Sequence, residues 1–384
     1  MTKINQKLGW KTWRFDQIAT NVNVRIDNPS ESGMEYYVGL EHLDPDSLKI
    51  RRWGSPDDVA ATKLVFQKGD IIFGRRRAYQ RKLGVAEFDG ICSAHAMVLR
   101  AKPEVVLPEF LPFFLQSDLF MNRAVEISVG SLSPTINWKT LAVQEFALPP
   151  MEEQRRIIES LSCLEKYIDS TDHLIASAEN LRGSLMIDHF SKKYSEYRKV
   201  SEVGKWHSGG TPARGKSEYW GGDIPWISPK DMKLPVLNSA EEKLTAEGVD
   251  AGSRLMPKDT ILIVVRGMIL AHTFPVARTS VPAAFNQDMK ALVVNDEYRA
   301  KYIQYWFEYS APYYLRLISE SSHGTKRLES ENLFSLSVPK ISHDEQDELI
   351  ERVDDVVQAI REASDRRQDT LLIKRHFLNE KLVA

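Results

Sequence analysis

At 384 residues the chain is long enough for two or three domains, and its 42% hydrophobic and 27% charged residues are those of an ordinary globular protein rather than a disordered or fibrous one. A formal net charge of −2 excludes an indiscriminate polyanion binder, which needs clustered positive charge, but leaves room for a local basic patch. The 2 cysteines, Cys92 and Cys163, lie far apart with no Cys-x-x-Cys, which points to a reduced intracellular compartment and away from zinc.

The N-terminus, Met1-Thr-Lys-Ile-Asn-Gln-Lys7, has no apolar signal core, and the longest apolar run, Thr260–Val265, is far short of a membrane span; a cytoplasmic protein without membrane contact is expected. Residues 1–150 read as one mixed α/β domain. Short apolar runs (Tyr36–Leu40, Asp70–Phe73, Ala96–Leu99) separated by Gly, Asp and Pro predict strands joined by turns, followed by a helix from Pro108 to about Ala124. After the second of these strands comes a basic loop with Arg75, Arg76, Arg77, Arg81 and Lys82, bracketed by Gly74 and Gly84 and carrying Tyr79. A run of cations is often only solvated surface. The glycine bracket and the interleaved aromatic favour a loop presented to phosphates and base edges, where the arginine fork can bind guanine or two phosphate oxygens.

Residues 151–195 predict a long spacer helix. Ile157, Leu161, Leu164, Ile168, Thr171, Ile175 and Ala178 follow a four-three alternation, and Pro149-Pro150 stands just before it, where proline is tolerated. Residues 196–340 repeat the order of the first domain: strands at Thr260–Val265 and Ala291–Val294, a loop from Arg266 to His272, then a helix over Tyr298–Ile318. Residues 341–384 predict a second long helix. Leu349, Val353, Val356, Ile360, Ala363, Arg367 and Thr370 keep the frame of the first stripe, each 192 residues after its counterpart. Two apolar stripes in one frame predict that the helices pair as a coiled coil, a rod of roughly 50–60 Å that holds two domains apart.

Other segments return at a similar interval. Ser131-Leu-Ser-Pro-Thr-Ile-Asn-Trp138 answers to Ser322-His-Gly-Thr-Lys326-Arg327, Gln67-Lys-Gly-Asp70 to Met256-Pro-Lys-Asp259, and Glu153-Gln154 to Glu345-Gln346. A duplicated unit of this size implies two similar domains, not a solenoid. Catalytic constellations are missing. Gly210-Thr-Pro-Ala-Arg-Gly215-Lys216-Ser217 has the letters of a phosphate-binding loop without the buried strand before it or the helix after it. There is no Asn/Asp-Pro-Pro-aromatic methyltransferase tetrapeptide, no His-Glu-x-x-His and no Gly-x-Ser-x-Gly, and scattered histidines such as His95 and His189 read as structural. The inventory favours a recogniser over an enzyme, with a coiled-coil scaffold that never touches DNA as the competing reading.

The chain resembles the DNA-specificity subunits of type I restriction-modification systems. Gly209-Gly-Thr-Pro212 with Tyr219-Trp-Gly-Gly-Asp-Ile-Pro-Trp226-Ile-Ser-Pro-Lys230-Asp231 is similar to the opening of a target recognition domain in that family. Leu148-Pro-Pro-Met-Glu-Glu-Gln154 is similar to the entry to its spacer helix, and Val338-Pro-Lys-Ile-Ser-His-Asp-Glu-Gln346 is a looser copy. The first domain lacks the Gly-Thr-Pro signature. The resemblance implies a pseudo-two-fold α+β protein: two target recognition domains, each reading half of a split double-stranded DNA site, separated by helices pairing as an antiparallel coiled coil that sets the gap. It also implies two methyltransferase subunits docked on the helices, with restriction subunits joining them. S-adenosylmethionine, ATP and Mg would sit on those partners and no cofactor on this chain. Candidate DNA-contacting residues are then Arg75, Arg76, Arg77, Tyr79, Arg81 and Lys82 in the first domain. In the second they are Thr211, Lys216, Trp226, Lys230, Arg266, His272, Lys326 and Arg327.

Overall fold

The computed structural model describes residues 9–320 and 324–382. The chain divides into two compact units, residues 1–172 with 364–384, and residues 173–363. In the first unit a four-stranded antiparallel sheet runs in the order Ala19–Val22, Ala96–Ala101, Ile71–Gly74, Leu83–Val85. Period-two alternation explains why its central strands read as continuous apolar runs. Ile71, Phe73, Met97 and Leu99 enter one core, built with Phe15, Phe110, Phe114, Phe120 and Phe146, while Ile72, Ala96 and Val98 enter another with Val38, Leu43 and Phe66. A second sheet, in the order Arg25–Ile26, Lys63–Phe66, Gly90–Cys92, Tyr37–Val38, backs the smaller core.

The helix expected over Pro108 to Ala124 is two helices, Phe110–Gln116 and Asp118–Glu126. Ser117 breaks it: its backbone is extended and its hydroxyl caps the second helix by accepting from the Phe120 amide.

The second unit repeats the plan with a five-stranded sheet, in the order Gly204–Ser208, Met289–Val294, Ile261–Val264, Val276–Thr279, Val236–Leu237. Helix Ala300–Arg316 buries Tyr302, Ile303, Trp306 and Phe307 against it. A small sheet made of Glu242–Leu244, Trp220–Ile227 and Ala284–Phe285 carries a separate core of Trp226, Leu244, Val249 and Ala284.

The long helices are Met151–Phe190 and His343–Leu382, 40 residues each, or about 60 Å at 1.5 Å per residue. The expected stripes are their inward faces. Ile157, Leu161, Ile168 and Thr171 are buried on the first helix and Leu349, Val353, Ala363 and Thr370 on the second, while Leu164, Ile175, Val356 and Ile360 are half-buried. In the first unit Glu165 meets Lys374 and Asp172 meets Arg367. Numbers that rise on one helix fall on the other, so the pair is antiparallel. In the second unit Met186 and Phe190 share a core with Leu349 and Val353. No described helix is long and apolar enough to cross a membrane.

Each long helix starts from the same device. Gln154 is buried; it donates through Nε2 to the carbonyls of Pro149 (3.0 Å) and Val105 (3.4 Å) and accepts from the Leu107 amide (2.9 Å). Gln346, also buried, donates to Ile341 (3.2 Å) and Glu297 (2.9 Å) and accepts from the Arg299 amide (2.8 Å). Only a side-chain amide can satisfy both carbonyls and an amide at once, which gives the repeated Glu-Gln its physical meaning.

Candidate nucleic-acid interface

In the first unit the basic loop leaves strand Ile71–Gly74 and folds into a short turn, Ala78–Gln80, flanked by Arg77 (φ 57°) and Arg81 (φ 54°) in the left-handed region. Such backbone costs energy for a residue with a Cβ and persists only where the surroundings hold it. Here a second segment does so. The Arg77 amide donates to the Pro134 carbonyl (2.7 Å), and the Ile136 amide donates to the Arg75 carbonyl (3.0 Å). The Ser131–Asn137 segment, singled out by its repetition, is thus zipped to the basic loop.

The side chains then divide. Arg77 Nε donates to Ser133 Oγ (3.0 Å), Arg76 Nη1 donates to His95 Nε2 (3.2 Å), and Tyr79 stands 55% exposed. Arg75 is half-buried. Arg81 and Lys82 require a correction, because they are committed to internal partners. Arg81 binds Asp46 (2.6 Å), Asp118 (3.0 Å) and the Gln116 carbonyl, and Lys82 donates to the Leu40 carbonyl (2.8 Å). Those bonds hold the loop in place.

The second unit builds the same face from different residues. Strand Ile261–Val264 leads into the turn Met268–Ala271; the Gly267 amide donates to the Lys326 carbonyl (3.0 Å) and the Leu328 amide to the Val265 carbonyl (2.9 Å). Gly267 (φ 138°) stands where Arg77 stands in the first unit. Arg266 and His272 are exposed, Lys326 pairs with Glu320 (2.5 Å) and Arg327 with Glu329 (3.0 Å). Ser322 and His323 of the repeated motif lie outside the described residues.

The Gly-Thr-Pro segment is architecture. A Cβ on Gly209 or Gly210 would come within 2.2 Å of a backbone oxygen, Asn286 O or Gly252 O, so the loop lies flat on its neighbours. Trp226 is buried and donates from Nε1 to the Gly210 carbonyl (3.0 Å), which corrects its expected DNA contact to a core role. Trp220 donates to the Ala213 carbonyl (3.3 Å). Thr211 bonds Gln287, Lys216 donates to the Tyr219 hydroxyl (3.1 Å), and Lys230 is exposed. After Lys216 come a three-residue turn and a strand, not the helix a phosphate-binding loop requires.

Three features escaped the sequence reading. The Arg214 guanidinium lies 4.0 Å from the Trp220 ring centre and 4.9 Å from that of Trp226, and it forks onto Glu242. Arg254 Nη1 donates to His207 Nδ1 (2.8 Å), and Lys290 donates to Ser208 (2.8 Å). Arginine has no acceptor, so the ring nitrogens it meets on His95 and His207 are unprotonated. Burial, then Arg76, Arg75 and Lys63, push the His95 pKa down; burial, then Arg254 and Lys205, do the same for His207. No signal in the sequence joins the hydrogen-bonded partners, which are 19 to 82 positions apart.

The sequence matches the type I restriction modification DNA specificity domain twice, over residues 59–180 and 192–369. The chain belongs to this family. It is 37% identical over 167 residues to the specificity subunit of the type I restriction enzyme EcoR124I/EcoR124II of Escherichia coli, covering 43% of this chain and 41% of that protein. It is 31% identical over 159 residues to the MjaIX specificity subunit of Methanocaldococcus jannaschii, covering 40% and 36%. The chain thus spans only about two fifths of the length of these curated relatives. Among solved structures, a chain from a study of assembly and conformational transition of a type I restriction-modification system matches with a TM-score of 0.62 at 20% identity, over 98% of both chains. The S subunit from M. genitalium matches with a TM-score of 0.56 at 15% identity, over 99% of this chain and 98% of that one. Those two likenesses speak for the specificity-subunit fold.

Proposed function

We propose that this chain is the DNA-recognition subunit of a type I restriction-modification assembly. Each unit reads one half of a bipartite double-stranded target, and the paired helices set the unspecified gap. The observation that carries this reading is the face built twice: one backbone frame, a strand–turn loop zipped to a second loop, presenting arginines in each unit but otherwise different side chains. Two similar frames with different chemistry suit two different half-sites, since hydrogen-bond patterns at base edges are read by side chains. The subunit itself performs no catalysis. Two methyltransferase subunits dock on the long helices, restriction subunits join them, and S-adenosylmethionine, ATP and Mg are held by those partners in the cytoplasm. The test is reconstitution. The chain alone should bind DNA weakly, and with its methyltransferase partner it should form a complex of two such subunits per chain that methylates a split target. Methylation by the chain alone, or one partner per chain by native mass measurement, would overturn the proposal.

A further inference from the structure

The two faces can be compared position by position, because the backbone bonds fix their equivalence. Arg76 bridges Thr135 and Arg266 bridges Arg327, each immediately before the residue whose amide donates across the same loop pair. From that anchor Arg75 corresponds to Val265, Arg77 to Gly267 and Tyr79 to Ile269. On the facing loop Pro134 corresponds to Lys326 and Thr135 to Arg327. Nearly every position changes chemistry. Among the described positions, Ile136 and Leu328 are both buried and aliphatic and Ser133 and Thr325 both carry a hydroxyl, but the one charge kept is that of Arg76 and Arg266, the same cation on the same backbone frame. Arg266 is exposed, and Arg76 is half-buried with its guanidinium on His95.

Resting on the reading of two half-sites, we propose that Arg76 and Arg266 are the sequence-independent anchors of the two faces, gripping a backbone phosphate in each half-site, while the positions that differ around them select bases. A side chain retained in two faces whose remaining chemistry differs should bind what both stretches of DNA share, and every stretch shares its phosphates. A phosphate contact positions a reader without specifying sequence. The arginine fork suits two phosphate oxygens as well as a guanine edge; lysine, a point charge, keeps the attraction to phosphate but loses the planar geometry of the fork.

The experiment uses the full chain assembled with its methyltransferase partner. It reads both the target sequence, by mapping methylated sites, and the salt dependence of affinity for an oligonucleotide carrying that target. Arg76→Ala and Arg266→Ala should each weaken binding roughly tenfold or more. Each should also lower the slope of log affinity against log salt by about one, with the methylated sequence unchanged. Arg76→Lys and Arg266→Lys should restore most of the affinity. By contrast Arg77→Gly with Tyr79→Ile should change the base preference of the first half-site and leave the second intact. A base position relaxed in the Arg76→Ala or Arg266→Ala target, no rescue by lysine, or undiminished binding would each overturn the inference. A wild-type complex with no split target would instead remove the reading beneath it.

Discussion

At the residue scale, buried polar groups do more to fix this structure than exposed charges do. Gln154 and Gln346, both buried, each satisfy two carbonyls and one amide. Replacing either with alanine leaves those groups without partners and should cost about 2–4 kcal/mol, read as a lower midpoint in chemical denaturation. A loss under about 0.5 kcal/mol would mean that water replaces the amide. The histidines give a second, signed expectation. His95 and His207 are held unprotonated beside arginines, below their ordinary value of 6.5. Below that pH the unfolded chain takes up protons that the folded chain refuses, so this stability is present above 6.5 and lost as pH falls from there through the lower folded values. Thermal midpoints should therefore drop between about pH 7.5 and pH 5.5, and the double variant His95→Gln, His207→Gln should show a smaller drop. An identical drop in the variant would assign the effect to other groups.

At the element scale, the long helices and the central strands were legible because periodicity is local. A four-three alternation kept across a 192-residue displacement needs no knowledge of tertiary structure, and the buried faces of Met151–Phe190 and His343–Leu382 follow it. The candidate interface was legible in its parts: the basic loop and the repeated Ser-Leu-Ser-Pro-Thr segment were both singled out, though not their union. What escaped was the use of individual side chains. Arg81 finds Asp118, Lys82 finds the Leu40 carbonyl and Trp226 finds the Gly210 carbonyl, all through the fold, so their charge or ring alone suggested DNA where the structure has internal bonds. The helix seam has a similar surprise in Lys374, only 4% exposed and bonded to Glu165 and to Gln116 Oε1 (2.7 Å). Lys374→Ala strands a carboxylate and should destabilise the first unit by about 3 kcal/mol, whereas Lys374→Met with Glu165→Met should recover most of the loss. If the double variant is as unstable as the single one, the pair is not the source of the effect.

At the scale of the whole molecule, one plan is built twice with different chemistry. The strand–turn frame, the zipped loops, the glutamine at the helix start and the apolar stripe all recur, while most side chains on the two faces, Arg76 and Arg266 apart, do not. Recognition of a split DNA sequence follows if each face contributes its own base contacts and the chain supplies both to one methyltransferase assembly. The most direct measurement is a map of methylated bases in the DNA of cells carrying this chain with the proposed methyltransferase partner. The expected result is a single bipartite motif, two short and different sequences at a fixed separation, which disappears when this chain is deleted. Methylation at an uninterrupted sequence, or a motif that persists without the chain, would contradict it.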